Sequence, residues 1–308
     1  MSSVLSIRNI GKYYGPVHAL NDVSFEVPKG SVFGILGPNG SGKTTMLGIV
    51  MDILKASSGN FLWNGQPGSS NQMRKQIGTL LETPNFYHYL SGQKNLEIAA
   101  AIKERGKSDI PAVLEKVNLT QRKDSKFSTY SLGMKQRLAI ASTLLGNPDT
   151  LVFDEPTNGL DPAGIAEIRE LIKQLNKQGK TIIMASHILD EVEKVCTHVA
   201  IIQKGVLKTV GSVNEVLSSS SGNKTATLEI DMAAENLPAL EQVLKQLPGI
   251  IHVVTTENGL SVECEESVTS TSINKFCFEK GIVLSQLNLK RKSLEKRFLE
   301  ITGTQSDR

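Results

Sequence analysis

Gly37-Pro38-Asn39-Gly40-Ser41-Gly42-Lys43-Thr44, with Thr45 next in line, has the spacing G-x-x-x-x-G-K-[ST]. The apolar run SVFGIL precedes it and a helical pattern follows. Glycines at these positions let backbone N–H groups turn inward around phosphate oxygens, and the helix N-terminus adds the positive end of its dipole. On this reading Lys43 neutralises the β and γ phosphates and the Thr44 hydroxyl ligates Mg²⁺. A Gly-rich turn with an incidental lysine is the plainer alternative, and the strand–loop–helix context argues against it.

Further along, TLVFDEP is an apolar strand ending in Asp154 and Glu155. Asp154 is suited to holding Mg²⁺ through water, and Glu155 to polarising an attacking water, work typically worth about 10²–10⁴-fold for a general base. Adjacent acids at a strand end also serve as helix N-terminal charges. The phosphate loop needs an acidic partner, which favours the chemical role. Guanine recognition would call for N-K-x-D, and the nearest string, NKQG at 176–179, lacks the aspartate. Adenine can be held by stacking alone, for which Tyr14 in KYYGPV is available, although strand-edge packing also accounts for Tyr13 and Tyr14. ATP is the expected nucleotide.

These residues need elements to hold them. Residues 4–36 alternate in strand fashion, a helix is expected over Thr44 to Leu54, and GNFLWNG reads as a short hairpin strand. Residues 85–146 are mostly helical in pattern. Strand–helix alternation then resumes with TLVFDEP, a helix over 162–178, KTIIMAS, a helix over 188–195 and the hairpin HVAIIQKGVLKTVG. Such alternation implies a largely parallel sheet covered by helices. The serine run at 218–222 reads as a linker, and residues 224–308 spell βαββαβ, a small ferredoxin-like α+β domain finished by a helix through SLEKRFLEI.

With 308 residues, two domains are expected, and a net charge of +3 from scattered Lys and Arg calls for no nucleic-acid partner. Cys196, Cys264 and Cys277 lack metal or redox spacing and read as buried, reduced thiols of a cytosolic protein. No apolar run reaches the roughly 18 residues that span a bilayer, and the first residues hold no signal-peptide core, so the chain is expected to be soluble by itself.

The motifs and their order resemble one family, the ATP-binding subunits of ABC transporters, over residues 4 to about 217. After the phosphate loop comes YSLGM, in the place of the family signature LSGGQ, then TLVFDEP, then NGLD at 158–161 as the D-loop and His187 as the switch histidine. The resemblance implies a P-loop NTPase cassette over 1–220, α/β with antiparallel N-terminal strands, a mostly parallel sheet and a helical insertion at about 85–146. It implies an ATPase motor on the cytoplasmic face of the membrane, working as a head-to-tail homodimer with a separate polytopic permease. In that dimer Ser131, Leu132, Gly133 and Met134 act in trans on the partner's γ-phosphate, Asp161 belongs to the D-loop, and His187 contacts the γ-phosphate. Ser131 and the Gly133 N–H would sit at a helix N-terminus, where anionic oxygen binds.

Two positions depart from the family pattern. Leu132 replaces the first signature glycine, and Glu82 stands where the family usually has glutamine, a residue that touches Mg²⁺ or the lytic water. Both variants are familiar in the exporter branch resembling bacitracin and multidrug pumps. NFYHYL places three of the chain's fifteen aromatics at 86–89. In the family this neighbourhood receives a coupling helix of the membrane subunit, and packing inside the helical insertion explains the same residues nearly as well. Soluble relatives of the family, such as translation factors or DNA-repair clamps, usually carry two cassettes or a long coiled-coil insertion, and this chain has neither. A kinase or GTPase outside the family leaves the signature unexplained.

Overall fold

Apolar residues at alternate positions make Ser3–Tyr14 (β1) and Val17–Pro28 (β2) an antiparallel hairpin with Tyr14 opposite Val17 and Gly15 at φ 56 in the turn. The computed structural model describes residues 2–68, 71–81, 85–218, 227–256, 259–265, 267–290 and 293–303. Glu82 and most of the serine run at 218–222 lie outside these residues. By its internal contacts the chain divides into two units, Met1–Val213 and Asn214–Arg308.

In the first unit the chain continues through β3 (Val32–Leu36), α1 (Lys43–Val50), β4 (Ser58–Trp63), β5 (Gln66–Pro67), α2 (Asn71–Gln76) and β6 (Ile77–Leu80). The helical insertion follows: α3 (Gly92–Lys103), α4 (Ile110–Lys116) and α5 (Leu132–Leu144), with one 3₁₀ turn between the first two and two between the last two. Then come β7 (Thr150–Asp154), α6 (Pro162–Lys177), β8 (Thr181–Ser186), α7 (Leu189–Val195), β9 (His198–Gln203), β10 (Val206–Ser212) and α8 (Val213–Ser218), the last crossing into the second unit.

Two sheets result. One is antiparallel in the order β2-β1-β4-β5; the other runs β10-β9-β3-β8-β7-β6, parallel except for the β9/β10 hairpin. Strands β3, β7 and β8 are buried along their whole length, which is why each reads as an unbroken apolar run rather than an alternating one. Phe25 of β2 stacks on Phe33 of β3 at 5.4 Å, inside a core that also takes Met46 and Leu47 of α1 and buries Trp63 with its indole N–H donating to Val50 O.

Helix α1 stops at Val50, short of the expected Leu54. Asp52 adopts φ 58, and the amides of Ile53 and Leu54 both donate to Gly48 O, so the chain folds back and sets Leu54 against Gly48.

The second unit contains β11 (Thr227–Ala234), α9 (Leu237–Leu244), β12 (Ile250–Thr256), β13 (Gly259–Glu265), α10 (Ser270–Glu279), β14 (Leu284–Lys290) and α11 (Leu294–Thr302). Its sheet is antiparallel in the order β12-β13-β11-β14, the ferredoxin-like βαββαβ arrangement. Leu240 and Leu244 of α9, with Ile273 and Cys277 of α10, pack on Ile230, Met232, Val262 and Cys264. Helix α11 buries Leu294 and also Arg297, whose Nε donates to Val216 O and whose Nη1 is paired to Glu300. All three cysteines are free and buried, and burial pushes each thiol above its usual range. Among the described residues no helix is long and apolar enough to cross a membrane.

Candidate active site

The parallel register gathers the chemistry at one end of three adjacent strands. Leu36 of β3 pairs with Ser186 of β8, and Asp154 of β7 pairs with Ala185. The loops that leave those strand ends therefore carry Gly37–Gly42, His187 and Glu155 out side by side. This is the crevice beyond the carboxyl ends of the strands where open α/β sheets bind ligands.

The phosphate loop is shaped by its glycines at two points. Gly42 sits at φ 110 as the residue preceding α1, and a Cβ there would come within 2.6 Å of Ala19 O. At Gly37 a Cβ would meet Ile202 O at 2.2 Å. Helix α1 has no side-chain N-cap, so its first-turn amides are left to a ligand. Pro38, Asn39 and Gly40 are exposed at the loop's outer side, Thr44 is exposed, and Thr45 is half-buried. Ser41 is buried, and its Oγ has no hydrogen-bond partner among the described residues.

Lys43, only 6% exposed, curls back into this loop and donates to Gly37 O at 2.9 Å and Pro38 O at 3.3 Å. Its ammonium also lies 3.7 Å from Glu155 Oε1, while the other carboxylate oxygen, Oε2, lies 2.9 Å from His187 Nδ1. Glu155 is thus held between a cation and an imidazole, both able to turn toward a phosphate. Asp154 is 1% exposed at the end of β7. The metal donors expected from the sequence are hydroxyl and carboxylate oxygens, Thr44 and Asp154, which suits a hard cation carried by phosphates. The partnerless Ser41 hydroxyl inside the loop fits the same anionic guest.

Tyr14 is 47% exposed at the end of β1, with the Lys12 ammonium 4.9 Å from its ring centroid. The sequence reading overlooked Lys12. The signal was there, because residues two apart on a strand share a face.

The signature segment lies on the insertion. Ser131 N-caps α5, its Oγ accepting from the Met134 amide at 3.3 Å, and Leu132 is half-exposed. Asp161 N-caps α6, accepting from the Gly164 amide at 3.0 Å. Neither segment reaches the Lys43–Glu155–His187 cluster through any hydrogen bond or ion pair described for its side chains. Asn95 was also missed, since an amide inside a helical pattern reads as surface. It is buried and holds the preceding loop through Tyr87 N and O and Ser91 O. Beside it a groove of about 380 Å³ is lined by Asn85, Phe86, Tyr87, Ile98, Ala99 and Ile102.

Comparison with known proteins gives consistent results. The profile of the ABC transporter family matches residues 20–158. An uncharacterised ABC transporter ATP-binding protein of Bacillus subtilis, YhcH, is 38% identical over 307 residues, covering 98% of this chain and 97% of the relative. The bacitracin transport ATP-binding protein BcrA of Enterococcus faecalis is 33% identical over 309 residues, covering 98% and 97%. Among solved structures, the dimeric post-hydrolysis state of an ATP-binding cassette bound to ADP and Pi superposes with a TM-score of 0.62 at 25% identity, covering 68% of this chain and 98% of that one.

Proposed function

The chain belongs to the ATP-binding proteins of ABC transporters, and from that membership we propose that it is the MgATP-driven motor of an exporter whose membrane path is a separate permease. It is an ATPase. In the proposed cycle two copies close head to tail on two nucleotides, hydrolyse them and reopen at the inner face of the membrane, moving the permease. The name of the bacitracin transport relative supports a role in transport, and the dimeric neighbour supports the pairing.

The observation that carries the mechanism is the convergence of Lys43, Glu155 and His187 beside the phosphate loop. Lys43 exchanges its carbonyl partners for the β and γ phosphates, which the α1 N-terminus and the loop amides surround. That exchange frees Glu155 Oε1 to accept a hydrogen bond from the attacking water and take its proton. His187, released from Oε2, donates to the γ-phosphate. Thr44 and Asp154 would hold Mg²⁺, with Glu82 as a further oxygen donor, and the ion would offset charge on the phosphates. Tyr14 stacks on adenine, and Ser131 with the Gly133 amide covers the partner's γ-phosphate. The groove beside Asn95 receives the permease's coupling helix.

The test is affinity purification of tagged Glu155→Gln protein with MgATP from detergent-solubilised native membranes, followed by mass spectrometry. A stoichiometric polytopic membrane protein is expected. Ribosomal or DNA-repair proteins without such a subunit would overturn the transporter reading.

A further inference from the structure

Leu132 stands where the family signature has glycine; it is half-exposed, and its Cδ2 lies against the D-loop of the same chain. Gly159 adopts φ 74, and a Cβ on it would lie 3.1 Å from Leu132 Cδ2. The converse contact is present one residue on in each segment: Leu160 Cδ2 lies 4.0 Å from where a Cβ on Gly133 would be. Two leucines therefore face two glycines across the signature and the D-loop. Ser131 and Asp161 cap their own helices and tie neither loop to the other. Farther from the loops, Arg137 of α5 and Glu167 of α6 approach to 3.5 Å, so the two helices are joined behind the interlock as well.

We propose that Leu132 is a positioning residue that locks the signature to the D-loop of its own protomer, so that both segments meet the partner's nucleotide as one block. The inference rests on the proposed role of the signature in trans. Glycine at 132 would leave the D-loop without this contact. Leucine fills the place that the missing side chain of Gly159 leaves open, and it does so from the side, leaving Ser131 Oγ and the Gly133 amide at the helix N-terminus. The larger residue is thus a link between two trans-acting elements rather than an obstruction at the phosphate.

The experiment measures steady-state ATPase activity of the full chain for Leu132→Ala, Leu132→Met, Gly159→Ala and the Leu132→Ala/Gly159→Ala double variant, with fluorescent-nucleotide titration of dilute protomer beside it. Misplacement of about 1 Å costs on the order of 10²-fold; with the Arg137–Glu167 pair still joining the helices the shift is smaller, and loss of the contact should lower kcat roughly tenfold. Affinity of the protomer for nucleotide should stay within about twofold, a split that general destabilisation does not produce. Methionine, similar in volume, should restore turnover to near wild type. Alanine at 159 crowds Leu132 Cδ2 at 3.1 Å and strains a φ of 74 besides; the double variant relieves the crowding but not the strain, so its loss should fall short of the product of the two single losses. Wild-type kcat in Leu132→Ala, failure of methionine to restore, or multiplicative losses would each overturn the lock. Ser131→Ala separates the two claims: if it collapses turnover while losses at 132 and 159 multiply, only the lock falls. Wild-type turnover in Ser131→Ala removes the composite-site reading, and the lock with it.

Discussion

Glu155 presents its carboxylate from a left-handed backbone, φ 48, that costs an L-residue roughly 1–2 kcal/mol. Local hydrogen bonds hold it there: its amide donates to Ala185 O and its carbonyl accepts from the Asn158 amide. The strain aims the side chain sideways, toward Lys43 and His187, instead of along the strand. Glutamine keeps that shape and the hydrogen-bond reach but cannot take a proton. Glu155→Gln should therefore bind MgATP normally while turnover falls by about 10²–10⁴-fold, checked by nucleotide titration beside steady-state phosphate release. Normal turnover in that variant would remove Glu155 as the base. The roles proposed for Lys43, Asp154 and Glu155 come from their motifs. The link between Glu155 and His187 does not, because 32 residues separate them and only the β7/β8 register brings them together.

At the scale of elements, apolar continuity made the buried strands β3, β7 and β8 legible, and turn residues marked their ends. What stayed hidden were contacts that depend on tertiary neighbours, such as the return of Leu54 onto Gly48 and the far end of α5. There the Lys103 ammonium, carried on α3, donates to Ser142 O at 2.7 Å and Thr143 O at 3.4 Å, satisfying carbonyls at the helix C-terminus. Burial, helped by the Arg105 charge, pushes Lys103 down to about 8. The unfolded lysine titrates near 10.5, so between these values the unfolded chain binds the proton that the folded chain has lost, and stability rises with pH. Below pH 8 the cost of burying the charge is present in full. Wild type should therefore gain on the order of 2 kcal/mol relative to Lys103→Met between pH 7 and 9.5, measured by urea unfolding at the two pH values. A constant difference would show that Lys103 titrates alike in both states.

For the whole molecule, the proposed function asks how an ATPase with no membrane-spanning helix among its described residues would pass force to a permease. The groove beside Asn95 is the first unit's best answer. Its floor is fixed rather than loose, since the buried Asn95 amide ties Tyr87 and Ser91 together. Its rim leaves apolar surface in water, with Tyr87 50% and Ile102 75% exposed, and Tyr89, 69% exposed, lies against Tyr87 at 5.9 Å. A fixed floor with apolar anchors suits an amphipathic helix laid across it, because the receiving surface loses little conformational freedom on binding. A glutamate in place of one of these apolar anchors would lose its water on docking without gaining a partner, a loss typically of about 2–5 kcal/mol. Ile102→Glu should consequently lose the membrane partner on co-purification from detergent-solubilised membranes, with nucleotide binding by the same preparation serving as the control for folding. Undiminished recovery of the membrane protein would move the docking surface away from this groove. The sequence hinted at the groove through its aromatics but could not separate docking from packing. Both uses are present in one run of residues: Phe86 meets Phe127 edge-on at 5.2 Å, while Tyr87 and Tyr89 face solvent.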